Sequence, residues 1–140
     1  LAPGEAVKIV NSFQVKLPQL FSRSGHKKGF YAITQWYPKP AVYDTKGWHP
    51  MPYLDQGEFY NEFGNYRVRL TVPQGYRIAA TGQRESGSSS EKEVVEFSQD
   101  NCTDFAWFVS KDFLLQQDTL QLASGKIIKL QSAVLKQNQS

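Results

Sequence analysis

Between residues 65 and 72 apolar and polar side chains alternate without a break. Tyr66, Val68, Leu70 and Val72 fall on one face, and Arg67, Arg69 and Thr71 on the other. Side chains in a strand repeat every two residues, so this pattern dictates a sheet with one buried and one wetted face; a helical stripe would recur every three to four. Pro73-Gln74-Gly75 then supplies a turn, and residues 76–81 continue as strand. Residues 82–92, with the polar run Ser86-Gly87-Ser88-Ser89-Ser90, read as a hairpin loop, and residues 93–97 as the returning strand.

The same period recurs elsewhere. In residues 5–17, Val7, Ile9, Phe13, Val15 and Leu17 all occupy odd positions with Lys8, Gln14 and Lys16 between them, which predicts a half-buried strand ended by Pro18. Residues 30–37 are rich in aromatic and β-branched side chains and are stopped by Pro38 and Pro40, which cannot donate to a ladder. Phe105, Trp107 and Val109 alternate with Ala106 and Phe108, and Leu120 and Leu122 precede Ser124-Gly125 and a last strand over residues 127–135. Only residues 111–117 offer a turn or two of helix. The expectation is an all-β fold of about eight strands, a β-sandwich or saddle-shaped curved antiparallel sheets, in which residues 1–140 form a single β-domain.

Residues 38–64 break this rhythm. Four of the seven prolines lie between Pro38 and Pro52, and eleven of the nineteen aromatic residues lie between Phe30 and Tyr66. That aromatic density predicts a long ordered loop folded back onto the sheet. Trp36, Tyr37, Tyr43, Trp48 and Tyr53 join a large apolar body to a polar tip. They can either pin the loop or offer a platform to a sugar ring or a partner surface.

Several function classes drop out. Sixteen Lys and Arg against thirteen Asp and Glu give a net charge of +3, too little for the broad basic field of a nucleic-acid binder. The first fifty residues carry +5 and the remainder −2, a mild asymmetry. No apolar run approaches the roughly 18 residues of a membrane-spanning helix. Cys102 is the single cysteine, and His26 and His49 lie far apart, so neither Cys-x-x-Cys nor His-Glu-x-x-His exists and no metal or cofactor is expected in this chain. Asp55, Glu58 and Glu62 have the spacing of a turn but no further sign of an acid–base pair. There is no nucleophile elbow and no phosphate-cradling glycine loop. The chain by itself is expected not to be an enzyme. It begins at Leu1 and holds one methionine, Met51, and is read as an excised fragment of a longer protein. Asn101-Cys102-Thr103 and Asn138-Gln139-Ser140 match glycosylation acceptors, a pattern frequent by chance.

Three runs carry a family likeness: Phe21-Ser22-Arg23 with Gly25-His26; Ile33-Thr34-Gln35-Trp36-Tyr37-Pro38-Lys39-Pro40-Ala41-Val42-Tyr43-Asp44; and Gly47-Trp48-His49-Pro50-Met51-Pro52-Tyr53. With Gly57-Glu58-Phe59-Tyr60, Val72-Pro73-Gln74-Gly75-Tyr76 and Asp104-Phe105-Ala106-Trp107-Phe108-Val109, the chain resembles the N-terminal β-domain of bacterial zinc metallopeptidases of the aminopeptidase N family, a gluzincin type. The likeness spans roughly residues 1–122. It differs where the family places Gln or Glu for the substrate amine, since the corresponding stretch reads Gly25-His26-Lys27-Lys28-Gly29.

The resemblance implies a saddle-shaped domain that packs on a separate catalytic domain of the same polypeptide and forms one wall of a peptide-binding cleft. It implies further strands before Leu1, and zinc with its ligands beyond Ser140. It favours a bacterial periplasmic or extracellular location. On this reading Gln35, Trp36, Tyr37, Trp48 and His49 are the candidates to face substrate. The alternative is a free-standing β-sandwich binding module that uses the aromatic loop for carbohydrate or protein ligands, which requires Trp36, Trp48 and Tyr53 in one coplanar exposed row.

Overall fold

The computed structural model of the chain describes residues 2–52, 54, 57, 59–85 and 92–136. In chain order its strands are β1 (Gly25–Lys27), β2 (Phe30–Ile33), β3 (Val42–Asp44), β4 (Gly47–His49), β5 (Gly64–Pro73), β6 (Arg77–Ala80), β7 (Gln83–Arg84), β8 (Lys92–Cys102), β9 (Trp107–Ser110), β10 (Phe113–Gln121) and β11 (Ile127–Leu135). The fold is all-β. Every pair between these strands is antiparallel. They form a four-stranded sheet ordered β1-β2-β9-β6, a three-stranded sheet ordered β5-β8-β7, and two hairpins, β3-β4 and β10-β11.

The core lies between the two larger sheets. Leu70 and Val72 of β5 and Val95 and Phe97 of β8 enter it from one side, Ile78 of β6 and Val109 of β9 from the other, and Phe105 closes it from the connection between β8 and β9. Register explains the match: Leu70 stands opposite Val95 and Val68 opposite Phe97, while Ile78 stands opposite Val109. Opposed residues share a face, so each pair delivers two apolar side chains to the same place. Burying a side chain the size of Phe97 or Phe105 contributes about 3 kcal/mol, and both are fully buried. The alternation of β5 falls as its sequence predicts, with Arg67, Arg69 and Thr71 in solvent.

Gly82 allows the corner that follows β6. Its φ is +89°, and a Cβ there would run into the Ser98 carbonyl of β8. Without a side chain the backbone closes onto β8, and Gln83 pairs with Ser98 to start β7.

Four expectations need correction. Residues 5–17 form no strand; Val7 is 63% and Ile9 76% exposed. Alternation says which face a strand would bury but supplies no ladder partner for its backbone, and no described strand pairs with these residues. The strand over residues 30–37 stops at Ile33, because Gln35 turns the chain with a φ of +50°. Residues 111–117 are no helix but the entry to β10. The long loop contains its own hairpin, β3-β4, turned through Gly47 at a φ of +102°. With β1 and β7, this hairpin makes four short strands that the alternation does not announce, and with the loss of the one expected over residues 5–17 the described strands number eleven rather than about eight. The serine run, Tyr53, Asp55, Glu58 and Asn138-Gln139-Ser140 lie outside the described residues.

Candidate interaction site

The aromatic segment after β2 is divided by the structure into an anchored half and an exposed half. In the anchored half the Trp36 indole N–H donates to the Phe105 carbonyl at 3.0 Å, and the Tyr37 hydroxyl donates to Asp104 Oδ1 at 3.1 Å. The same Asp104 oxygen accepts the Phe105 N–H at 2.7 Å and lies 2.8 Å from Lys39 Nζ. The lysine contact is an ion pair rather than an aligned hydrogen bond. Lys39 also sits 5.2 Å from the centre of the Tyr37 ring, within cation–π range.

Ring contacts tie this half to the core. Trp36 meets Tyr37 edge-on at 5.2 Å and Trp107 at 6.2 Å, while Tyr37 meets Tyr66 at 5.9 Å. Burial, the neighbouring Tyr66 hydroxyl and the Asp104 charge push the Tyr37 phenol far above its ordinary value, so it stays protonated and serves as a donor. Gln35, on the turn that leads in, is half-buried. Trp36 and Tyr37 therefore belong to the packing of this domain.

The exposed half is the β3-β4 hairpin. Val42 is buried and fixes its base. Tyr43 and Trp48, directly opposed in register, are 64% and 66% exposed and lie 4.9 Å apart with their planes tilted by 59°. Asp44 Oδ1 holds the turn by accepting the Lys46 N–H at 2.7 Å and the His49 Nε2–H at 2.8 Å. Those bonds, the histidine first, lower the Asp44 pKa. The His49 ring meets Tyr60 edge-on at 5.6 Å. With Nε2 engaged by Asp44, His49 orients the hairpin.

The rest of the chemistry follows from these placements. Among the described residues no group of three or more His, Cys, Asp or Glu could hold a metal ion. Cys102 donates to the Asp104 carbonyl at 3.4 Å, and burial raises its pKa, so it is a thiol at neutral pH and a poor nucleophile. Among the described residues no helix is long and apolar enough to cross a membrane. A hollow of about 250 Å³ opens between the sheets, lined by Leu17, Tyr31, Ile33, Tyr76, Trp107 and neighbouring apolar side chains. Its lining is mostly apolar.

Of the five residues expected to face substrate, the structure pairs Trp36 with Tyr37 in the anchored half and puts Trp48 beside His49 on the hairpin. Sequence reasoning missed Asp104 and Lys39 as the hub. Asp104 lies 67 positions from Tyr37, and no local pattern signals such a contact. Tyr43, grouped with the aromatic set, was the available sign of the exposed pair. Comparison of the chain with protein-family models, with curated proteins and with solved structures finds no match.

Proposed function

We propose that this chain is a non-catalytic β-domain of a zinc metallopeptidase of the aminopeptidase N family, packing against a separate catalytic domain and forming one wall of its peptide-binding cleft. The observation that carries the reading is the division of the motif run over residues 33–53. Trp36, Tyr37 and Lys39 are consumed by the domain's own packing, whereas Tyr43 and Trp48 remain in solvent on a hairpin braced by Asp44 and His49. Two large rings left about two-thirds exposed add little to this domain's core, and an exposed aromatic pair on a braced hairpin is the kind of anchor that a partner surface buries. On this reading zinc and its water-activating glutamate belong to the other domain, and no step of the hydrolysis is assigned to residues of this chain.

The carbohydrate-module alternative is less well supported. It needs a flat exposed row, but the Trp36 indole is bonded to Phe105 and the Tyr43 and Trp48 planes are tilted by 59°. Tyr53 lies outside the described residues.

The test starts with the reading frame that continues past Ser140, searched for His-Glu-x-x-His and a downstream glutamate, followed by peptide hydrolysis in the intact polypeptide. Trp48→Ala is expected to raise KM or loosen the domain contact while this domain stays folded. A following polypeptide without those ligands, or Trp48→Ala and Tyr43→Ala both without effect on kinetics and on domain docking, would sink the proposal.

A further inference from the structure

The β10-β11 ribbon is anchored at its base by the buried Phe113, which meets Phe30 of β2 edge-on, but it pairs with neither core sheet. Nine positions pair from Phe113 opposite Leu135 to Gln121 opposite Ile127 without a bulge, and neither strand joins another sheet among the described residues. A two-stranded ribbon alone in water is marginal. This one also exposes large apolar side chains, with Ile127 63% and Leu130 45% exposed.

Its two outer edges differ. At the base of β10 the Phe113 carbonyl already accepts a hydrogen bond from Arg77 of β6 at 2.8 Å. The edge of β11 carries little of the usual protection: over Ile127–Leu135 there is no proline, no glycine and no bulge, and a single charged residue, Lys129.

We infer that β11 pairs antiparallel with β11 of a second copy of this chain, about a two-fold axis at Gln131, to complete a four-stranded sheet. The sequence of the edge is complementary to itself at that register. Gln131 opposite itself sets Ile128 against Val134 of the second copy and Ile127 against Leu135 of the second copy. Combined with the register inside each ribbon, one row becomes wholly apolar and a second apolar except for Gln121. On one face Leu120 and Ile128 continue into Val134 and Leu114 of the second copy. On the other Gln121 and Ile127 continue into Leu135 and Phe113 of the second copy. Two-fold symmetry repeats each row. Lys129 falls opposite Ala133 of the second copy, so no like charges oppose. Moving the axis one residue to Leu130 sets Ile128 against Ser132, and moving it to Ser132 sets Ile128 against Lys136. The pairing engages one strand edge, less than a standard stable interface, so the dimer is a weak one that forms with rising concentration.

Sedimentation equilibrium of the 140-residue chain from micromolar to millimolar concentration should show a monomer–dimer equilibrium. Leu130→Lys places two like charges diagonally across the axis and should weaken association about tenfold or more, with far-UV circular dichroism unchanged. In a Cys102→Ser background, Gln131→Cys should form a cross-linked dimer under mild oxidation, whereas Gln117→Cys, on the outer edge of β10, should not. A chain that stays monomeric throughout, a dimer indifferent to Leu130→Lys, or preferential cross-linking through Gln117→Cys would each overturn the inference.

Discussion

The Tyr37 hydroxyl donates to Asp104 Oδ1 at 3.1 Å across 67 positions of sequence, and the same oxygen holds the Lys39 ammonium at 2.8 Å. One carboxylate thus fastens the segment after β2 to the connection between β8 and β9. The consequence is that the most distinctive run of the sequence is held at one end from inside the domain and left open at the other.

Asp104→Ala should destabilise the domain by about 2 kcal/mol. It leaves the Tyr37 hydroxyl and the Phe105 N–H without their acceptor and a half-buried Lys39 without its counter-charge, and the partial exposure of the ion pair keeps the cost below that of a fully buried one. Urea unfolding measures it, and Lys39→Met in the Asp104→Ala background should recover part of the loss.

Tyr37 gives the fold an alkaline limit. Its folded pKa is raised above the ordinary 10.0, so its contribution is fully present below that value and is lost as pH rises toward the folded one. Stability should fall above about pH 10, and Tyr37→Phe should flatten that slope at a cost of about 1 kcal/mol at neutral pH. Thermal unfolding followed against pH distinguishes the two chains.

Asp44 acts at the other end of the scale. Its folded pKa lies below the unfolded 3.8, so the stabilisation it gives the hairpin is present above that value and is lost as pH falls through the folded one. Tryptophan fluorescence from the exposed Trp48 should report this change on acidification, and Asp44→Asn should abolish it.

Gly82→Ala should be among the most damaging single substitutions, costing about 3 kcal/mol or more through a clash with the Ser98 carbonyl and a strained positive φ. Gly75→Ala also sits at positive φ, +87°, but meets nothing within 4 Å, and should cost less. Chemical denaturation of the two variants side by side provides the comparison.

Ile9→Lys should leave stability within about 0.5 kcal/mol, because the residue is mostly exposed. Amide hydrogen exchange over residues 5–17 should be fast compared with β5 and β8. Protection there equal to that of β5 would mean the segment is a paired strand after all.

Local sequence determined the elements whose residues carry their own instructions. The alternation from Tyr66 to Val72, the turn at Pro73-Gln74-Gly75 and the return through Val95 and Phe97 follow from side-chain period and turn chemistry; β5 is where the sequence puts it, and β8 covers the expected residues 93–97 but runs on to Cys102. The same alternation in residues 5–17 produced no strand, because a strand is defined by a partner that lies elsewhere. Tertiary structure alone decided which aromatic residues anchor and which face solvent. Trp36 and Trp48 look alike in sequence, but one finds the Phe105 carbonyl and the other lies against Tyr43 and stays two-thirds exposed. Period is a property of neighbours along the chain, whereas burial and hydrogen-bond satisfaction depend on what distant segments bring alongside.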